Sequence, residues 1–330
     1  MNPVFTKKYR SVVTPIYKLV NIIGITVLLS TACTAQNVHD KSRVKSVAKK
    51  EIHFSVPINL KFPNNNSRQL EAADNDSAYY DQAVLKLPKN YSDKGTPVRL
   101  VYLAHGAGGG VTDSSWAWNR FSILDSLIEN GYACFDVNGG PYLENMGGSR
   151  VVQSAFKAYE YIKEHYNVCD KIFVIGGSMG GLSSVNFVYK HSNIVLAHAM
   201  YSPVLDLHGQ AWMNPWFSTT KKAIAIAYNF IDTTGRTWEP AKVIGWDPLY
   251  INTITNGKDT FKIYPVPVKI WHGINDRVVR IEASREFQRY IQNAGGYCEL
   301  REYNSDNHGL SGGSAFLNRE LLLFLKRFDK

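Results

Sequence analysis

Ser178 is the residue whose type and neighbours best suit nucleophilic chemistry. It is the central residue of Gly-Gly-Ser-Met-Gly at residues 176–180, after an apolar run at residues 172–175 and before a helix-compatible stretch that starts at Leu182. Strand, tight turn and helix in this order are the context of the G-x-S-x-G turn, in which a strained serine projects its hydroxyl above a sheet. The motif alone leaves a second interpretation open, a glycine-rich turn without chemistry.

A serine hydroxyl becomes a good nucleophile only when a base accepts its proton and a carboxylate orients that base. Asp276 lies in Trp-His-Gly-Ile-Asn-Asp-Arg-Val-Val, directly after an apolar run, and His308 follows the next expected strand. We therefore expect Ser178 as the nucleophile, His308 as the base and Asp276 as the orienting acid. Asp206, which follows the strand after the serine, is an alternative acid and is ranked below Asp276.

A second glycine-rich segment, from His105 to Gly110, directly follows a strongly apolar strand expected at residues 98–104. Its three consecutive glycines suit a close approach of the backbone to a ligand, whereas the alternative is a flexible turn. His105 and His272 each precede a glycine at the end of a strand. We expect both histidines to shape their loops through hydrogen bonds.

These residues must be positioned by an alternation of strands and helices. Strands are expected at residues 51–62, 83–87, 98–104, 132–137, 172–175, 194–200, 266–271 and 297–303, and helices at 114–130, 149–165, 182–189, 281–293 and 314–328. Strands that alternate with helices imply right-handed crossovers and a mostly parallel sheet covered on both faces, so the fold class is α/β. The first two strands should form an antiparallel edge.

The segment from about residue 203 to residue 265 interrupts this alternation and holds four of the seven tryptophans. An insertion of this kind between core strands usually covers a pocket, so we expect a cap. Its aromatic rings could instead form the small core of the cap itself. The candidate substrate-binding residues are all aromatic: Trp116, Trp118, Tyr142, Trp212 and Trp216.

From about residue 80 to residue 330 the sequence resembles an alpha/beta hydrolase of the esterase and prolyl-oligopeptidase-like branch. The resemblance rests on the His-Gly segment at 105–106, the serine turn, the His-Gly-x-x-Asp-x-x-Val loop and the late histidine, in the family's order. It implies an inserted cap and a catalytic triad of Ser178, His308 and Asp276. It also implies that the oxyanion is bound by backbone N–H groups of Met179 and of Ala107 or Gly108.

The N-terminus resembles an export signal, since residues 1–35 combine basic residues, an apolar core from Leu19 to Leu29 and then small residues. Cys33 lies in a context similar to a bacterial lipoprotein signal, with Ser30 where leucine is usual, so lipid anchoring at Cys33 and ordinary cleavage both stay open. Residues 36–50 are polar and are expected to form a disordered tether before a hydrolase domain at residues 51–330. The protein is therefore expected in the periplasm, on the outer membrane or in the medium.

Composition points to a globular protein and gives little support to a nucleic-acid-binding role. The net charge of +9 includes four basic residues and no acid in the first 32 residues, and no nucleic-acid-binding motif is visible. The four cysteines have no zinc-type spacing. No metal and no cofactor are expected.

The expected reaction is two-step acyl transfer through an acyl-enzyme. An exported enzyme with an aromatic-rich cap favours carboxyl esters, such as acetyl or feruloyl esters on polysaccharides, as the first expectation. A prolyl-oligopeptidase-like peptidase is the alternative, ranked lower because those peptidases usually carry an N-terminal propeller. A non-catalytic binding protein of the same fold is the third hypothesis.

Overall fold

The computed structural model describes residues 48–58, 79–112, 116–140, 145–214, 219–249, 264–308 and 315–329. All of them lie in one compact unit, Val47–Lys330. The expected signal segment with Cys33, and the candidate binding residues Tyr142 and Trp216, lie outside the described residues. The expected tether extends too far, because its last residues already belong to the first strand.

Eight strands form one mixed sheet. They are β1 (Ala48–Ile58), β2 (Tyr79–Pro88), β3 (Leu100–Ala104), β4 (Ala133–Val137), β5 (Ile172–Gly177), β6 (Val195–Tyr201), β7 (Val268–Gly273) and β8 (Cys298–Tyr303). Their order is β1-β2-β4-β3-β5-β6-β7-β8, antiparallel from β1 to β4 and parallel from β4 to β8. The expected antiparallel edge and mostly parallel sheet are confirmed.

Seven α-helices connect or follow these strands in the described part of the chain. They are α1 (Ser122–Glu129), α2 (Ser149–His165), α3 (Gly180–His191), α4 (Thr220–Ala227), α5 (Pro240–Val243), α6 (Glu282–Asn293) and α7 (Ala315–Phe328). A 3₁₀ turn, Ala117–Arg120, precedes α1. None of the helices among the described residues has the length and apolar content needed to cross a membrane.

The central strands are buried on both faces, which explains their unbroken apolar sequences. In β3, Leu100, Tyr102 and Ala104 belong to one core cluster, while Val101 and Leu103 belong to a second cluster. This alternation is the two-residue period of a strand, which points successive side chains to opposite faces. Helices α2, α3 and α6 pack in the first cluster and α1 and α7 in the second, so both faces of the sheet are covered.

The cap after β6 has its own apolar core. Trp212, Phe230 and Trp238 are in mutual ring contact, with centroid distances of 5.9 Å, 5.2 Å and 5.6 Å. The same cluster includes Met179 and Leu182 at the start of α3. The described part of the cap therefore packs against the helix that follows the serine turn.

Candidate active site

Ser178 lies at the sharp turn between β5 and α3. Its φ angle of +53° is in the left-handed region, which is unfavourable for a residue other than glycine, so the surrounding structure must hold it there. The flanking glycines permit the turn, because a Cβ atom on Gly180 would lie 2.1 Å from the Ala104 carbonyl oxygen and one on Gly176 would lie 2.3 Å from Ser184 Oγ. The turn thus has the geometry that the G-x-S-x-G sequence predicts.

Ser178, His308 and Asp276 form a continuous chain of hydrogen bonds. His308 Nε2 lies 2.9 Å from Ser178 Oγ, and His308 Nδ1 lies 2.8 Å from Asp276 Oδ2. The three residues follow β5, β8 and β7, so they meet at the carboxyl edge of the parallel strands, where open α/β sheets bind ligands. This arrangement can pass the serine proton to the imidazole while the carboxylate fixes the orientation of the ring.

The carboxylate of Asp276 is held in its ionised form. Its Oδ1 accepts hydrogen bonds from the backbone N–H groups of Val278 and Val279. Burial raises the pKa of Asp276. The hydrogen bond and charge of His308, together with these two backbone donors, lower the pKa by a larger amount, so it lies below the ordinary value. An ionised Asp276 is the state required to stabilise an imidazolium at His308.

Asp206, the alternative acid, has a different partner. Its Oδ1 accepts a hydrogen bond of 2.7 Å from the Gly209 N–H group, which caps the helical turn Leu207–Trp212 at the start of the cap. The geometry therefore brings Asp276, and not Asp206, to His308.

His272 shapes the loop that carries Asp276. Its ring nitrogens lie 2.8 Å from Ser284 Oγ and 2.8 Å from the Val279 carbonyl oxygen. Burial outweighs the hydrogen bond to Val279 and the charge of Asp276, so the pKa of His272 is below its ordinary value and the ring is neutral. His272 therefore acts as a structural support, as the sequence predicts.

Backbone donors for an oxyanion are available on both sides of Ser178. Within the described part of the chain, neither the Met179 nor the Ala107 N–H group donates a hydrogen bond. Gly106 lies against the serine, because a Cβ atom built there would be 3.3 Å from Ser178 Cβ. Ala107 lines the cavity at Ser178 and Gly108 does not, so the geometry favours Ala107 over Gly108 as the second donor.

A buried, hydrogen-bonded pair of His105 and Asp136 supports the His105–Gly110 segment. His105 Nδ1 lies 3.1 Å from Asp136 Oδ2, which also accepts a hydrogen bond from the indole N–H group of Trp116 at 3.1 Å. Burial lowers the pKa of His105, but the Asp136 charge and hydrogen bond reverse this effect and raise it. Asp136 was not among the residues predicted from the sequence. An acid inside the apolar run Ala-Cys-Phe-Asp-Val was nevertheless a usable signal, because a buried acid requires a partner.

A cavity of about 240 Å³ opens beside Ser178. Its lining residues are His105, Gly106, Ala107, Gly109, Ala117, Trp118, Arg120, Phe121, Ile123, Gly177, Ser178, Tyr201 and His308. Of the candidate binding residues that the structure describes, Trp118 lies at the site. Its indole N–H group donates to the Leu103 carbonyl oxygen at 3.1 Å, which fixes the ring.

Two expectations about the binding surface need correction. Trp116 and Trp212 do not line the cavity, because the first is buried against Asp136 and the second lies in the core of the cap. No described residue of the cap lines the cavity either, so the described cap is packed on α3 rather than over the serine. Among the described residues there is also no cluster of histidine, cysteine and acidic side chains that could hold a metal ion.

No protein-family model matches the chain, and no curated protein matches its sequence. Among solved structures, a puromycin-hydrolysing peptidase from Mycobacterium tuberculosis matches with a TM-score of 0.53 and 19% identity, over 74% of this chain and 36% of that one. An acylaminoacyl peptidase from Pyrococcus horikoshii matches with a TM-score of 0.59 and 14% identity, over 87% of this chain and 42% of that one. A prolyl endopeptidase matches with a TM-score of 0.56 and 14% identity, over 84% of this chain and 36% of that one.

These matches change the ranking of the expected reactions. The chain spans less than half the length of each of these structures, and all three are described as peptidases. The first expectation, an enzyme that cleaves carboxyl esters, is therefore wrong, since the similar structures are described as peptidases. The expected resemblance is confirmed at the level of architecture: the chain has the alpha/beta-hydrolase fold.

Proposed function

We propose that this protein is a serine hydrolase that cleaves amide bonds in peptides, a peptidase of the prolyl-oligopeptidase-like type. The observation that carries the proposal is the hydrogen-bonded chain from Ser178 Oγ through His308 to Asp276. The shared fold with three peptidases supports the choice of peptides as substrates.

In the proposed mechanism Ser178 Oγ attacks the peptide carbonyl carbon while His308 Nε2 accepts the hydroxyl proton. The N–H groups of Met179 and Ala107 donate to the oxyanion that develops on the carbonyl oxygen. An amine is a poor leaving group until it is protonated, so His308 then gives its proton to the departing nitrogen. Water, activated by the same imidazole, releases the acyl group from Ser178.

The cavity limits what this site can hold. Ligand pockets that enclose a drug-sized molecule have volumes of roughly 300–1,000 Å³. The cavity of about 240 Å³ is smaller, so it suits one substrate side chain rather than a folded segment. We therefore expect short or unstructured peptides as substrates.

A peptide library read by mass spectrometry tests the proposal. Incubation with wild-type protein should produce new peptide termini, and incubation with Ser178→Ala should not. A fluorophosphonate probe should label the wild type and leave Ser178→Ala unlabelled, because the probe reacts with an activated serine. Folded protein that neither cleaves any peptide nor reacts with the probe would contradict the proposal and favour a binding protein of the same fold.

A further inference from the structure

The cavity beside Ser178 is lined by aromatic residues and by an arginine. Trp118, Phe121 and Tyr201 contribute aromatic rings to the lining. Arg120 lines the same cavity, is exposed to solvent, and places its guanidinium carbon 5.0 Å from the centroid of the Phe121 ring. A substrate group that enters therefore meets apolar surface and a cation.

The charge of Arg120 is not neutralised by a described neighbour. Three side chains that line the cavity can carry a positive charge, and two of them have a carboxylate: His105 pairs with Asp136 at 3.1 Å and His308 with Asp276 at 2.8 Å. Arg120 forms no ion pair with any residue in the described ranges, and no acidic side chain lines the cavity. The guanidinium is thus available to an anionic ligand.

We infer that the cavity receives an acidic substrate side chain of the glutamate type, and that Arg120 binds its carboxylate. The inference rests on the proposed function, since the side chain would belong to the residue whose carbonyl group Ser178 attacks. The methylene groups of glutamate would lie against Trp118 and Phe121, and its carboxylate would accept the forked N–H donors of the guanidinium. The small volume of the cavity fits one such side chain.

Matched acyl donors that differ only in charge test this inference. N-acetyl-glutamyl and N-acetyl-glutaminyl p-nitroanilides, and the p-nitrophenyl esters of the same two acids, would be compared by kcat/KM. The wild type should favour glutamyl over glutaminyl donors about tenfold, as expected for one charge-assisted hydrogen-bonded contact. The preference should shrink as salt is raised to about 0.5 M, because the mouth of the cavity is open to solvent.

Variants assign the preference to Arg120. Arg120→Gln should bring the ratio of glutamyl to glutaminyl donors close to one, and Arg120→Lys should keep part of the preference. Arg289→Gln, an exposed substitution on α6 outside the cavity, is the matched control and should keep the full ratio. Titration with a fluorophosphonate probe would correct each rate for the amount of active protein.

The outcomes separate this inference from the proposed function. A wild-type ratio near one, an unchanged ratio in Arg120→Gln, or no turnover of any glutamyl donor would overturn the role of Arg120. A glutamyl preference in the esters without cleavage of any anilide would support Arg120 and contradict peptidase activity. Faster cleavage of a phenylalanyl donor than of the glutamyl donor would also overturn the inference, because the aromatic walls alone would then select the substrate.

Discussion

At the scale of single residues, the structure decides which of two candidate acids orients the histidine. His308 Nδ1 lies 2.8 Å from Asp276 Oδ2, whereas the sequence could only rank Asp276 above Asp206. Asp206 accepts a hydrogen bond from the Gly209 N–H group. Asp276 accepts hydrogen bonds from two backbone N–H groups through Oδ1, which leaves Oδ2 facing the imidazole. The roles of the two carboxylates therefore predict different consequences when each is replaced by its amide.

Asp276→Asn should leave a folded protein with very low turnover. An amide cannot stabilise the imidazolium or hold the required tautomer, and the corresponding change in a serine-protease triad reduces kcat by about 10⁴. Asp206→Asn is the matched control and should retain kcat within a few fold. A nearly silent Asp276→Asn beside an inactive Asp206→Asn would show that the acid is Asp206.

His105→Ala should lower both stability and turnover. The substitution removes a hydrogen-bond partner from the buried carboxyl group of Asp136, which typically costs about 1–3 kcal/mol of the free energy of unfolding. It also removes the support beneath Gly106 and Ala107, so kcat should fall. His165→Ala, an exposed change on α2, is the control in urea unfolding; equal midpoints for the two variants would contradict the supporting role of His105.

At the scale of elements, the helix α2 and the parallel strands agree closely with the sequence patterns, because apolar runs and helical periodicity record burial directly. The expected helix at residues 114–130 is different: it divides into the 3₁₀ turn Ala117–Arg120 and α1. Trp118 explains the break, since its indole N–H group is bound to Leu103 on β3 while its ring faces the cavity. A contact of this kind depends on tertiary packing and leaves no local pattern.

Alanine should be tolerated at one glycine beside the serine turn and destabilising at another. Gly180→Ala would place Cβ 2.1 Å from the Ala104 carbonyl oxygen, so β3 and α3 would have to separate. Overpacking of this kind costs about 1–3 kcal/mol or more, and the melting temperature should drop clearly. Gly177→Ala is the matched control, because its Cβ would meet Trp118 at an ordinary 3.7 Å. Equal melting temperatures for the two variants would show that the turn is looser than described.

Asp247, in the cap, should make the free energy of unfolding depend on pH. Burial and the nearby charge of Asp206 raise the pKa of Asp247 to about 8 in the folded protein, whereas the unfolded value is about 3.9. Between these two values the folded state holds a proton that the unfolded state has lost, so stability falls as pH rises from about 4 to about 8. Asp247→Asn should remove this part of the decline and stabilise the protein at pH 8 by on the order of 5 kcal/mol, the equivalent of a shift of about four pKa units.

Thermal or urea unfolding at several pH values would measure the effect. The difference in unfolding free energy between Asp247→Asn and the wild type should grow with pH. Glu164→Gln, an exposed change on α2, is the control and should leave the pH dependence of the wild type in place. A constant difference from pH 4 to pH 8 would show that Asp247 titrates normally.

At the scale of the whole molecule, the triad was predictable because each of its members follows a strand, and the carboxyl ends of parallel strands share one edge of the sheet. The contact between His105 and Asp136 could not be predicted, because it depends on β3 and β4 being neighbours in the sheet. The choice of Trp118 over Trp116 also required the orientation of each ring. The proposal of a peptide substrate rests on the shared fold with known peptidases, and not on the sequence or the site geometry.

The most direct test of the central claim is the kcat/KM of wild type and Ser178→Ala on a panel of N-acylated aminoacyl and dipeptidyl p-nitroanilides. The proposal predicts release of p-nitroaniline from at least part of the panel by the wild type. It predicts that Ser178→Ala, folded as judged by its thermal unfolding, loses this activity by several orders of magnitude. Equal rates for both proteins, or no amide cleavage by a wild type that reacts with a fluorophosphonate probe, would contradict a serine peptidase.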